Sequence, residues 1–371
     1  MIYITKKMYK AFGNFVDNYP ELKGINPFFN TNNLVEEYPL DSDVIGSLTA
    51  AGQIHKEVRR FLQPYLRPGV KLLDIANIIE LKTEELTKQL INYDGKPVNK
   101  GIGFPVGLAI NECAAHYHPA PGSNQIIGKS DIVKIDFGVE VNQWIIDSAF
   151  TVYFDNKFDV LAEAVRDATF TGIKNIGIDV SIAEWGAQIQ EIMESYEIKL
   201  DGKTYPIKSI NNLGGHNIRQ GIIHGGMFLP SVDMTGYFPS DYRFKEGVYA
   251  VETFGSTGQN HVTDSVKGDC NLYRINPDKF SQKSSNGLGT ETFNFLKDIY
   301  TKFKTLPFTD RYVELFNING YKSHLKTLSS NKFIHSYPPV CVNPGAYTAQ
   351  YEHTVYIGEG KKIVFSQGED Y

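Results

Sequence analysis

Between positions 41 and 90 apolar residues return every three or four places. Ile54, Val58, Phe61 and Tyr65 share one face and Ile75, Ile78, Ile79 and Leu86 another, the spacing of two amphipathic helices. Asp41-Ser42-Asp43 offers N-cap candidates for the first, which runs to about Leu66 and is stopped by Pro68-Gly69; Asp74 opens the second. The period then changes. GIGFPVGLAINECAAHYHP (101–119) reads as strand and loop, and DIVKIDFGVE (131–140) and NQWIIDSAFTVYF (142–154) read as adjacent antiparallel strands joined at Glu140–Gln143. Two more helices follow, carried by Leu161, Val165 and Ala168 and by Ile182, Ile189 and Met193. Strands return at 205–216, 246–256, 347–358 and 361–367.

This order weakly repeats. RPGVKLLDIANIIE (67–80) is similar to NIGIDVSIAEWGAQI (175–189), and the interval from Gly69 to Gly177 equals that from His116 to His224. IDFG and ETFG recur at a similar interval. The pattern predicts two α+β halves related by a pseudo-twofold axis, with a cleft between them. Residues 1–40, rich in Asn, Pro and aromatics, read as an irregular arm on a domain spanning 41–371. Residues 274–335 break the strand pattern and read as three short helices, an insert on the rim of the cleft.

With 371 residues, 42% of them hydrophobic, the chain can bury a large core. It has no apolar run of about 18 residues, so no membrane-spanning helix is expected, and MIYITKKMYKAFGNF lacks the features of a secretory signal. Cys113, Cys270 and Cys341 form no C-x-x-C, which fits a reduced, cytoplasmic compartment. A net charge of -5 without a Lys/Arg block argues against nucleic-acid or membrane binding through bulk charge. Nucleophile-elbow, H-E-x-x-H and P-loop motifs are absent.

Against this background five residues stand out. Asp136 (KIDFG), Asp147 (IIDSAF), His216 (LGGH), Glu252 (AVETFG) and Glu352 (AQYEHT) all sit in apolar or Gly-rich stretches. A bare buried carboxylate costs several kcal/mol, roughly, unless it is paired. Four carboxylates converging in a core are balanced by two divalent cations, with His216 as a neutral ligand. The competing readings are surface aspartates, a satisfied core histidine, and glutamates in ordinary ion pairs. An oxygen and imidazole donor set without thiolate suits Mn²⁺, Fe²⁺, Co²⁺ or Zn²⁺. Such a pair can hold a shared water that attacks an amide, with Glu252 as the proton acceptor. His116 and His224 could each hydrogen-bond a substrate and stabilise an oxyanion; a structural role is the alternative for both. His118, beside Pro119, is read as lying in an exposed turn. His55, His261, His324 and His335 are read as structural or solvated, and His353 is ambiguous beside Glu352.

CAAHYHP, KIDFG, IIDSAFTV, DATFTGIK, MESYEIKLDGKTYPIK, NLGGH, AVETFGSTG, YPPVC and YTAQYEHT together resemble the type 2 methionine aminopeptidases, in order and spacing, from about residue 41 to Tyr371. The resemblance implies the α+β "pita-bread" fold with a helical insert, and removal of initiator methionine from nascent proteins whose second residue is small. It implies that Asp136 binds one metal, that Asp147 and Glu352 bridge both, and that His216 and Glu252 complete the other. It assigns His116 to substrate contact and to alkylation by fumagillin-type epoxides, and His224 to the scissile bond. Phe104, Ile223 and Tyr337 are implied in the methionine side-chain pocket. A monomer acting on nascent polypeptides in the cytoplasm is expected, with the ribosome as a possible partner. Gly214 stands where the family usually has Asn, and Leu272 where a pocket histidine is usual; both bear on specificity. An Xaa-Pro aminopeptidase and a non-catalytic binding protein on the same fold are the alternatives.

Overall fold

The Asp43 side chain accepts the Gly46 N–H at 2.7 Å and starts helix α1 (Val44–Leu62), so the last of the three cap candidates is the one used. A single 3-10 turn over Gln63–Tyr65 ends it, and α2 spans Leu72–Lys88 with Asp74 in its first turn. The computed structural model describes residues 43–88, 90, 99–265, 270–281, 285, 287–316, 318–358 and 360–371; the expected arm at 1–40 lies outside them. Helices α1 and α2 lay their apolar faces on a three-stranded antiparallel sheet. Its strands β1 (Lys100–Ile110), β2 (Ile132–Val141) and β3 (Trp144–Tyr153) lie in that order. The β2–β3 turn is Asn142-Gln143, both with positive φ (53° and 67°), as a two-residue hairpin requires.

The arrangement then recurs. Helices α3 (Asp159–Asn175) and α4 (Ile182–Glu194) cover a second antiparallel sheet. It contains β4 (Gly214–Ile218), β5 (Phe228–Pro230), β6 (Gly247–Ser256), β7 (Thr348–Gly358) and β8 (Lys361–Val364), in the order β8-β7-β6-β4-β5. The strand expected over 205–216 is divided instead, into Lys203–Pro206, Lys208–Ser209 and the start of β4. Matching bonds mark the repeat. The Ile127 N–H donates to the Val70 carbonyl (2.9 Å) just before α2, and the Phe244 N–H to the Val180 carbonyl (3.0 Å) just before α4. One apolar core runs through both halves, from Leu48 and Ile79 to Trp185, Val251 and Val355.

The two sheets meet along β3 and β7. Because β8 pairs only with Val355–Gly358, the rest of that edge of β7 is open to β3, and side-chain hydroxyls join the two. Ser148 Oγ donates to the Glu352 carbonyl, Thr151 Oγ1 to the Gln350 carbonyl and Thr354 Oγ1 to the Asp147 carbonyl, each at 2.7 Å. The Asp147 N–H returns a bond to Thr354 Oγ1 at 2.8 Å. This seam pins the backbones of Asp147 and Glu352 to each other. Behind it the C-terminal residues fold back on α1. Arg59 makes a bidentate pair with Asp370 (2.7 and 2.8 Å), and the Tyr371 hydroxyl lies 2.7 Å from Ser148 Oγ.

Residues 274–335, expected as three short helices, hold three helices and also strand residues. Helices α5 (Thr290–Phe303), α6 (Asp310–Glu314) and α7 (Tyr321–Ser330) pack with three short strands, Phe308–Thr309, Leu272–Ile275 and Ile334–Tyr337, in that spatial order. They close on their own apolar cluster, which includes Phe295, Leu296, Ile299 and Leu328.

Candidate active site

Strand registers bring the five charged or imidazole residues to one face. Across the β2–β3 hairpin Asp136 lies opposite Ala149 and Asp147 opposite Gly138. The two aspartates are therefore diagonal neighbours on the same face, not directly opposed. In the second sheet Glu252 on β6 is directly opposite Glu352 on β7, and His216 on β4 is opposite Ala250, one diagonal step from Glu252. The seam then sets Asp147 beside Glu352.

The resulting cluster is tight and dry. Glu352, Asp147 and His216 are 1%, 4% and 8% exposed, and their ligating atoms all lie within 4.8 Å of one another. His216 Nε2 is 3.3 Å from Asp147 Oδ2 and 3.9 Å from Glu252 Oε1. Burial, with the charge of Asp147 added, holds the Asp136 carboxyl well above the usual carboxylate range. Burial also raises Glu252, with help from Asp147 and Asp136, and raises Glu352, with help from Asp147, Glu252 and Asp136. Asp136 Oδ1 is buried with no hydrogen-bond partner. A buried acceptor left unmatched and carboxyls that raise one another's affinity for positive charge are what a divalent-cation site presents before the cation is counted. The donor set of four carboxylates and one imidazole fits such ions.

Sequence reasoning passed over Gln350. It lies two residues before Glu352 on β7, hence on the same face, and its Nε2 donates to Glu252 Oε2 at 3.2 Å. The period-two rule applied backwards from Glu352 would have found it.

The cluster forms one wall of a cavity of about 370 Å³. Phe104 and Ile223 pack with Ile145 and Leu306 on the apolar side, and Leu272 lies across a strand pair from Tyr337. A file of rings links this side to the cluster. His116 is 5.8 Å from Tyr337, Tyr337 is 6.1 Å from His224, and His224 is 4.4 Å from His216, measured between ring centroids. Burial, and then the neighbouring His216, Arg274 and His116, push the His224 imidazole well below its ordinary pKa; burial lowers His116 too. Both rings are therefore neutral near pH 7, each with one donor and one acceptor nitrogen. His116 also has φ 63°, a left-handed backbone unusual for a non-glycine residue.

Two histidine readings need correction or completion. His118 is not in an exposed turn: it is 4% exposed, and its Nδ1 bonds the Val106 carbonyl at 2.9 Å. His353 faces away from the cluster, bonded to Ser366 Oγ at 2.9 Å and stacked on Tyr371, because neighbouring residues on a strand point to opposite faces. Gly214 lines the cavity. A Cβ there would overlap the Leu229 carbonyl oxygen of the adjacent strand, so in this backbone the position has room only for glycine.

Residues 46–258 match the family described as Metallopeptidase family M24. The chain is 41% identical over 349 residues to methionine aminopeptidase 2-1 of Talaromyces marneffei, covering 92% of this chain and 76% of the relative. It is 43% identical over 321 residues to methionine aminopeptidase 2 of Komagataella phaffii, covering 86% and 69%. Solved structures share the fold at low identity. A thermophilic Arx1 superposes with a TM-score of 0.70 (16% identity; 89% of this chain, 92% of that one). A methionine aminopeptidase of Thermotoga maritima gives 0.57 (16% identity; 88% and 98%). The chain belongs to metallopeptidase family M24 and, within it, to the type 2 methionine aminopeptidases.

Proposed function

We infer that this chain is a metal-dependent aminopeptidase that removes N-terminal methionine, acting on nascent proteins whose second residue is small. The observation that carries the reading is the convergence of Asp136, Asp147, His216, Glu252 and Glu352 on one wall of a cavity whose other side is apolar. Two divalent cations, Mn²⁺, Fe²⁺, Co²⁺ or Zn²⁺, match the four carboxylates in charge. Asp136 would hold one, His216 and Glu252 the other, and Asp147 and Glu352 both. When bound, they supply the Lewis acidity that polarises a peptide carbonyl and activates water at neutral pH.

The chain's own side chains do the rest. Glu252 takes the proton from the attacking water and passes it to the leaving amine, oriented by the bond from Gln350. His224, neutral and beside His216, donates to the scissile peptide group, and His116 holds the substrate from the opposite end of the ring file. Phe104, Ile223 and Tyr337 receive the methionine side chain, a flexible thioether suited to an aromatic wall. In this reading the enzyme works as a monomer in the cytoplasm, on chains emerging from the ribosome. The three free cysteines support that compartment, and among the described residues no helix is long and apolar enough to cross a membrane.

Purified protein should release Met from Met-Ala-Ser in a metal-dependent way and act far more slowly on Ala-Pro peptides. Failure to cleave Met-Ala-Ser with any divalent ion would sink the reading, and a preference for Ala-Pro would replace it with the Xaa-Pro one. His116→Asn should escape covalent capture by a fumagillin-type epoxide; labelling that persists at position 116 would refute the role given to His116.

The pocket wall offers a further test. Gly138 faces Asp147 across the hairpin, and a Cβ at Gly138 would overlap the Phe104 ring. Gly138→Ala should therefore cost about 1–3 kcal/mol of stability and raise KM for Met-Ala-Ser as Phe104 is displaced. An unchanged urea midpoint together with an unchanged KM would show that the pocket does not depend on this contact.

A further inference from the structure

Arg274 lies in the wall of the same cavity, two residues along the strand from Leu272 and so on the same face. The register sets Leu272 opposite Tyr337 and Arg274 opposite His335. Tyr337 belongs to the ring file beside the metal-ligand cluster, whereas His335 is exposed. The strand thus runs from the apolar pocket outward, and the guanidinium stands at the solvent-facing margin, where the peptide beyond the methionine must pass.

The buried arginines Arg59 and Arg311 are paired with carboxylates, Asp370 and Glu80. Arg274 is different. Its Nε is buried without a hydrogen-bond partner, and among the described residues no acceptor is bonded to its guanidinium. The carboxylates lining the cavity are Asp136, Asp147, Glu252 and Glu352, which the cations occupy. The charge of Arg274 is felt at His224, where it adds to the effects of burial and of His216, so it lies near the place assigned to the scissile bond. A half-buried guanidinium whose Nε has no partner is matched in shape and charge by a carboxylate, which it can hold through two parallel bonds.

We propose that Arg274 forms a carboxylate-binding subsite for the residues that follow the methionine, taking either the C-terminal carboxylate of a short peptide or an acidic side chain near the N-terminus of a longer one. This rests on the aminopeptidase reading. The contact is made equally in the ground and transition states, so it acts on KM more than on kcat.

The test uses the metal-loaded enzyme and three peptides: Met-Ala-Ser with a free carboxylate, Met-Ala-Ser-amide, and Met-Ala-Asp-amide. The free acid, the aspartyl amide, or both should exceed the neutral amide in kcat/KM by about 10–150-fold, the range of a charge-assisted hydrogen bond. The difference should lie in KM and shrink at high salt. Which peptide shows the preference identifies the source of the carboxylate. The quantity read in variants is the ratio of acid to amide, which cancels any general loss of activity. In Arg274→Gln and Arg274→Met the ratio should fall to about one, and Arg274→Lys should recover part of it. Equal kcat/KM on all three peptides in the unaltered enzyme overturns the subsite and leaves the aminopeptidase reading intact, as does a preference that survives in Arg274→Gln. Failure to cleave the neutral amide with any divalent ion overturns the reading itself.

Discussion

Glu352→Gln should abolish peptide hydrolysis and, in the same protein, raise the thermal stability of the metal-free form. Glu352 is directly opposite Glu252 and lies beside Asp147, 1% exposed. Without cations, burial and then the neighbouring carboxylate charges raise the pKa values of Asp136, Glu252 and Glu352, and juxtaposed like charges cost up to several kcal/mol. Glutamine keeps the shape and removes one of the charges. It cannot serve as an anionic ligand. Loss of an outer hydrogen-bond partner of a metal ligand typically costs about 10–100-fold, so loss of Glu352, proposed above as a ligand, should lower kcat/KM by ~10³-fold or more. The pH dependence follows with a definite sign. A carboxyl whose folded pKa is raised contributes stability that is fully present below the ordinary carboxylate range and is lost as pH rises through the raised values. The metal-free protein should therefore lose stability from about pH 5 to pH 8, and Glu352→Gln should flatten that slope. Saturating Mn²⁺ should reverse it, since cation binding needs the ligands deprotonated. Calorimetry in chelator and in Mn²⁺ at the two pH values reads all of this. A metal-free Glu352→Gln protein that melts below its parent at pH 8 would show that the carboxyls do not repel one another there.

The five converging residues were legible because each contradicts its surroundings. An acid between Ile135 and Phe137, or inside the apolar run of β6, has no cheap explanation in a core, and strand periodicity gives the facing. What the sequence did not disclose depends on register and long-range closure. That Asp136 and Asp147 are diagonal and not opposed follows from the two-residue turn at Asn142-Gln143. The hydroxyl seam of Ser148, Thr151 and Thr354 joins strands about half the chain apart, and no local pattern announces it. His118 was misread because Pro119 signals a turn but does not say whether tertiary packing covers it. The strands at 272–275, 308–309 and 334–337 are too short to show a period, which is why the segment read as helical and why Arg274, on the first of them, carried no signal.

The largest loss of stability should come from Glu80→Ala. Glu80 on α2 is fully buried. It accepts two bonds of 2.6 Å from Arg311 on α6, and its Oε1 also takes the Val106 N–H of β1 at 3.3 Å. The pair, with the bond from Arg311 to Asn77 Oδ1 at 3.2 Å, thus ties the helical segment to the first half of the fold. That segment carries Leu272, Arg274, Pro307 and Tyr337 into the cavity wall. Truncating the acid strands a guanidinium at a 7% exposed site. Such a buried, uncompensated charge costs about 3–5 kcal/mol, whereas exchanging both partners for apolar side chains of similar volume is often neutral. Glu80→Ala should therefore lower the urea midpoint strongly, and Glu80→Met with Arg311→Met should recover most of the loss. If α6 is held only through this pair, the single variant should also raise KM with little change in kcat, because the wall shifts while Asp136, Asp147, His216, Glu252 and Glu352 stay on the sheets. A loss in Glu80→Ala below about 1 kcal/mol would mean that the apolar cluster around Phe295 and Leu328 docks the segment unaided. A double variant as unstable as the single one would mean that the bond to Val106, and not the ion pair, is what matters.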